Sequence, residues 1–176
     1  VPDFTRGAWE TRTPSFAPDP RSFTLPGTAV VTTTKDGLAE QTFLLGLHAP
    51  EVKLPDVVVT FVGDPTAFSG WPAAGGQPGH CLFSEADWGI VINLPARANG
   101  RISVYAYDPE GLRRQSVAFN DRSPDLLDDF REGRWLEYAF TAADSATGEL
   151  RLTVHRREGA NGVLSKLRIA LRQGGG

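Results

Sequence analysis

Methionine is absent from the chain, even at its first position, and cysteine occurs once, at Cys81. A single cysteine permits no disulfide within the chain and no zinc site built from cysteine pairs. The missing methionine leads us to expect a piece of a longer polypeptide, with residues 172–176 (RQGGG) as a linker or tail. Long apolar runs are lacking too. Nothing approaches the roughly 20 residues that a membrane helix needs, and no leader peptide is visible at Val1. Neither sign of charge dominates: 18 Lys and Arg stand against 21 Asp and Glu, for a net charge of −3. Nothing in that balance draws the whole domain to nucleic acid or anionic lipid. The sequence also holds no Gly-x-Ser-x-Gly elbow, no P-loop and no Rossmann glycine pattern. The three histidines, His48, His80 and His155, share no metal-ligand spacing.

What the sequence does contain is a run of strand signals. At 176 residues, with 40% hydrophobic and 22% charged, the chain suits one globular domain, expected over 1–171. Residues 1–26 are rich in proline and arginine and carry Phe4, Trp9, Phe16 and Phe23. They read as an extended segment pinned down by aromatics. Strands are expected at 27–34, 42–48, 89–94, 101–108, 113–119 and 134–141. VVVTFV at 57–62 is apolar on both faces and reads as a central strand. Residues 101–108 and 113–119 are expected to pair across the Pro109-Glu110-Gly111 turn.

The clearest stretch is GELRLTVHRREGANGVLSKLRIAL, residues 148–171. Leu150, Leu152 and Val154 alternate with Glu149, Arg151, Thr153 and His155, the period of a half-buried strand. Val163, Leu167, Ile169 and Leu171 repeat the pattern beyond an Asn-Gly turn. The whole reads as a β-hairpin. Two segments break the pattern. Residues 63–89, with Pro65, Pro72, Pro78 and many glycines, read as a long functional loop. Residues 123–133 read as the one short helix, with Ser123 as cap, Pro124 at the first position and Leu126, Leu127 and Phe130 at helical spacing. About nine strands and one helix make an all-β antiparallel sandwich, or jelly roll.

Four motifs, DFTRGAW (3–9), RISVYAYDPEGLRRQSV (101–117), REGRWLEY (131–138) and GANGVLSKLRI (159–169), resemble the galactose-binding-domain-like jelly rolls of bacterial polysaccharide-degrading and other secreted proteins. The middle third, 38–94, carries no part of the resemblance. Gly162 stands where that family has alanine, and 13–16 (TPSF) replace an expected Tyr-Gly pair. The resemblance implies an ancillary, carbohydrate-binding-module-like domain, extracytoplasmic and non-catalytic, attached to a larger parent polypeptide. Its implied partner is an oligo- or polysaccharide, and it allows a structural calcium but requires no cofactor.

Sugar binding needs aromatic faces and groups that bond to hydroxyls. Trp71 and Trp88 lie in or beside the long loop with His80 and Asp87, so these four are candidate ligand-binding residues. Trp135 joins them, because it lies on the opposite strand face from Leu136, Tyr138 and Phe140. The alternative is that the tryptophans only pin the loop to the sandwich. Tyr105, Tyr107, Asp108, Arg113 and Arg114 form a second cluster, readable as a ligand site or as a lock in which Asp108 pairs with an arginine across the turn. Asn161 reads as a turn residue. Arg156, Arg157, Lys166 and Arg168 make a basic end, readable as a solvated face or an acidic-polysaccharide contact. Calcium candidates are Asp3, Asp36 and Asp108. Glu85 with Asp87, and Asp128 with Asp129, are adjacent carboxylates, an arrangement that does not place two of them across a cleft for glycoside hydrolysis. Cys81 is expected to be a small buried hydrophobe.

Overall fold

The computed structural model describes residues 30–47, 51–72 and 74–172. The expectations for residues 1–26, for His48 and for the tail past Arg172 fall outside them. Among the described residues the strands, in chain order, are β1 (Val31–Thr33), β2 (Leu38–Leu44), β3 (Val58–Val62), β4 (Thr66–Phe68), β5 (Cys81–Ser84), β6 (Trp88–Asn93), β7 (Gly100–Ala106), β8 (Arg114–Phe119), β9 (Asp125–Leu127), β10 (Arg134–Phe140), β11 (Glu149–Glu158), β12 (Gly162–Leu164) and β13 (Lys166–Arg172). They form three antiparallel sheets. The first has the order β1-β2-β13-β7-β10, the second β3-β6-β11-β8-β9, and a small third sheet β12-β5-β4. The first two face each other as an antiparallel sandwich of the jelly-roll kind.

Alternation along each strand builds the core. Ile102 and Val104 of β7 and Leu167 and Ile169 of β13 point inward from the first sheet, all fully buried. Ile90, Ile92, Leu150, Leu152, Val154, Val117 and Phe119 meet them from the second. Tyr138 of β10 stacks on Phe119 of β8 across the gap, with centroids 5.1 Å apart and planes 8° from parallel.

Several expectations are corrected. The hairpin at 148–171 does not form. Its first half, β11, pairs with β6 and β8 in the second sheet. Its second half, β13, pairs with β2 and β7 in the first. The chain crosses from one sheet to the other through β12, so the two oily faces oppose each other across the core. Alternation looks the same for strands paired side by side and strands packed face to face. The same holds at Pro109: β7 and β8 lie in different sheets and do not pair.

VVVTFV is an edge strand. Val59 and Phe61 turn partly inward, while Val58 and Val62 are 55% and 47% exposed. Residues 123–133 contain no helix. β9 lies along β8 with Gln115 opposite Leu127 and Val117 opposite Asp125. In a helix Leu126, Leu127 and Phe130 would share a face; here Leu127 and Phe130 are buried and Leu126 is 46% exposed. Pairing along β8 overrides the local helix signals. The long loop 63–89 carries β4 and β5, and β5 pairs with β4 on one side and β12 on the other to form a small sheet. Among the described residues the strands therefore number thirteen, against the expected nine or so.

Leu167 sits between β2 and β7 with no exposed surface. Leu167→Ala is expected to cost about 2–5 kcal/mol, read as a lowered urea midpoint. Cys81, 1% exposed, is the small buried hydrophobe expected. Burial pushes its thiol up to about 12. A thiol-reactive dye at neutral pH should leave Cys81 unlabelled in the folded chain and label it fully in denaturant.

Candidate functional site

The site grows from the end of β7. Along this strand Tyr105 points away from the core and Ala106 points in, and Tyr107, just past the strand, is 8% exposed. The chain then turns, with Gly111 N–H donating to the Asp108 carbonyl at 3.2 Å. Gly111 adopts φ +69°, and a Cβ there would lie 2.5 Å from Arg131 Cδ. The turn returns Arg113 onto Asp108. The Arg113 backbone N–H donates to Asp108 Oδ2 at 2.9 Å, and its Nη1 donates to Oδ1 at 2.6 Å. Nη1 also donates to Glu110 at 2.7 Å, and Nε to Asn161 Oδ1 at 2.7 Å.

Asp108 is 1% exposed and Arg113 11%, so this is a buried ion pair in which both Asp108 oxygens and the Nε and Nη1 of Arg113 are engaged. Burial disfavours the guanidinium's charge, but the bonds to Glu110 and Asp108 outweigh it and raise the Arg113 pKa. The lock reading of this cluster is therefore what the geometry shows. Arg114, the other arginine of the motif, lies outside it, on Asp128 and Glu158.

The lock carries the loop on its back. The Arg113 guanidinium lies 5.4 Å from the Trp71 ring centre. Trp71 meets Phe68 and Tyr107 edge to face, at 5.5 and 5.9 Å. Phe68, Trp71, Phe83, Glu110, Arg113 and Asn161, with Cys81 and Val163, line a cavity of about 270 Å³. Its walls are largely apolar, and polar side chains join them from two turns: Glu110 and Arg113 from one and Asn161 from the other. Arg113 faces two carboxylates there, so the pocket has no excess of positive charge. That composition suits a hydroxyl-rich ring with no charge of its own.

The five sequence-predicted ligand residues are not brought together. Trp71 alone lines the cavity. Trp88 is 2% exposed in the core, its Nε1–H donating to the Gly162 carbonyl at 3.1 Å. His80, 7% exposed, places Nδ1 2.6 Å from the Leu45 carbonyl, which can only accept, so Nδ1 carries the proton. Asp87 lies on the far side of the second sheet, 2.8 Å from His155 Nδ1, beside a groove of about 170 Å³ between Val62 and Thr153. Trp135 is 37% exposed on the outer face of the first sheet, as its strand phase predicts. Phe68, Phe83 and Glu110 escape sequence reasoning. A short strand phase in β4 and β5 is the one signal that marks the two phenylalanines.

Calcium finds no fit at the described candidates. Both oxygens of Asp108 bind Arg113, and those of Asp36 bind Arg101 and Thr34. The Arg101 bond, first, and the Thr34 bond hold the Asp36 carboxyl well below its usual range. Asp3 lies outside the described residues. Asp128 and Asp129 each pair with an arginine, Arg114 and Arg131. Among the described residues no cluster of three or more His, Cys, Asp or Glu is arranged to hold a metal, and no helix is long and apolar enough to cross a membrane.

Arg113→Ala leaves Asp108 charged and buried without its partner. It is expected to cost about 3–5 kcal/mol in urea unfolding. Arg114→Ala, at an exposed pair, should leave the midpoint nearly unchanged.

No protein-family model matches the chain, and no curated protein matches it in sequence. Solved structures do. The plant receptor-like kinase ANX2 aligns with 84% of this chain and 52% of its own length, at 10% identity and a TM-score of 0.50. A family two carbohydrate esterase from Cellvibrio japonicus aligns at 13% identity over 76% of this chain, with a TM-score of 0.41. TmCBM61, solved with beta-1,4-galactotriose, aligns at 14% identity over 67% of this chain and 86% of its own, with a TM-score of 0.34. The chain spans 34% of the esterase structure's length. At these identities the likeness speaks for the fold alone. Together with the sheet order, that likeness supports the antiparallel jelly-roll sandwich as the fold of this chain.

Proposed function

We propose that the chain is a non-catalytic glycan-binding module that holds one neutral sugar ring in the cavity beside Trp71. The observation that carries this is the cavity itself. It combines aromatic walls with the side chains of Glu110, Arg113 and Asn161, set on turns that the Asp108–Arg113 lock holds together. Its volume of about 270 Å³ lies just below the usual range for drug-sized ligands, which fits a single ring better than a longer stretch of chain. Of the residues that line it, only Glu110 bears a carboxylate, whereas glycoside hydrolysis uses two. The motif resemblance supports the wider setting: an ancillary domain of a larger, extracytoplasmic, glycan-active protein. The competing role is a spacer or docking domain with no sugar ligand.

The test is tryptophan fluorescence of the 176-residue chain against neutral galactan, arabinan, xylan and glucan oligosaccharides. A saturable shift is expected with at least one of them. Glu110→Gln, a change at the exposed rim, should weaken it about tenfold, or about 1.4 kcal/mol. Trp71→Ala should abolish it while circular dichroism stays unchanged, and Trp135→Ala should leave it. A flat response from a folded chain across the whole panel would favour the spacer role.

A further inference from the structure

The outer face of the first sheet holds a second arrangement that the Trp71 cavity does not use. Trp135 of β10, Tyr105 of β7 and Lys166 of β13 stand in one cross-strand row. The Trp135 and Tyr105 rings lie 5.1 Å apart, tilted at 56°. Arg168 of β13, two residues on, holds its guanidinium 4.2 Å from the Trp135 ring centre, and Lys166 Nζ is 5.3 Å from that of Tyr105. The platform is fixed from beneath and from one end. Arg168 Nε donates to Thr42 Oγ1 at 3.2 Å, and the Tyr105 hydroxyl donates to Gln77 Oε1 at 2.7 Å. Gln77 in turn donates to the Glu132 carbonyl at 2.7 Å, tying the 69–80 loop to the platform's end. Gly133 is required there, because a Cβ would meet the Tyr105 hydroxyl.

The charges are not balanced as they are at Arg113. Lys166 forms no ion pair among the described residues, and Arg168 has only Glu40, at 3.9 Å. Glu137 stands on the same face across Ser103, one row from Trp135. Burial, and then the charge of Arg168, lower the Lys166 pKa.

We infer that this face binds an acidic glycan. A ring with a carboxylate or sulfate packs beside Trp135 and Tyr105, and its anion sits between Lys166 and Arg168. Aromatic rings select a flat sugar face, and the two cations select the charge. The site is separate from the Trp71 cavity and does not depend on it.

The experiment is affinity electrophoresis of the 176-residue chain through gels containing polygalacturonate, a sulfated galactan, neutral galactan or polyglutamate. Retardation is expected in one or both acidic polysaccharides, and which one tells carboxylate from sulfate recognition. It should weaken when salt rises from about 0.05 M to about 0.5 M. Lys166→Gln with Arg168→Gln should reduce the affinity about tenfold or more, as should Trp135→Ala. Trp71→Ala should leave it unchanged, which separates this site from the neutral-sugar pocket. Absence of retardation by either acidic polysaccharide overturns the inference. So does retardation that survives the double substitution, or equal retardation by polyglutamate, which has the charge without a sugar ring.

Discussion

The buried ion pair between Asp108 and Arg113 is the constraint on which the functional end of this molecule depends. Asp108 gains its charge partner from a residue five places along the chain. The turn between them is also where the backbone leaves the first sheet for the second. Arg113 then reaches Asn161 in the crossing between β11 and β12, and lies over Trp71 in the segment that carries the third sheet. One guanidinium therefore ties together three connections at one end of the domain. A buried charge without its partner costs several kcal/mol, so the three are held in one geometry or the end of the domain comes apart. The cavity beside Trp71 follows from that geometry.

Much of the fold was legible in the sequence, because period-two alternation marks strands wherever one face is buried. Leu150, Leu152 and Val154, and again Leu167, Ile169 and Leu171, were placed inward correctly. What alternation does not encode is the neighbour. The strands at 149–158 and 166–172 carry matching oily faces because they look at each other across the core, and that pattern equally describes a hairpin. The apolar run at 58–62 illustrates the complementary ambiguity. Val58 and Val62 are hydrophobic yet face outward on an edge strand. At 123–133 the helix signals were genuine but local, and pairing along β8 prevailed.

The candidate site was legible only in halves. The cluster of Tyr105, Tyr107, Asp108, Arg113 and Arg114 was readable as a ligand site or as a lock between Asp108 and an arginine, and tryptophans in a glycine- and proline-rich stretch pointed to a binding surface. That Trp71 packs on Arg113 depends on residues 42 positions apart meeting through tertiary structure, which spacing cannot convey. Trp88 and His80 share Trp71's neighbourhood in sequence but are buried by β5, β6 and the crossing at Gly162. Trp135 alone was placed by strand phase. The two aromatic surfaces differ in charge for the same reason that they differ in position. At the turn, Arg113 is held by two carboxylates within 2.7 Å, whereas on the open sheet face the one ion pair that Lys166 and Arg168 make among the described residues is that of Arg168 with Glu40, at 3.9 Å.

The most direct measurement is an NMR titration that follows the four indole N–H resonances of Trp9, Trp71, Trp88 and Trp135 as a neutral oligosaccharide is added. A ligand in the cavity shifts the Trp71 resonance in a saturable way. It leaves that of Trp88 in place, since its Nε1–H is buried against Gly162. A titration in which the oligosaccharide binds and only the Trp135 resonance moves, or in which none of the four moves across the neutral-sugar panel, would contradict a glycan pocket at Trp71.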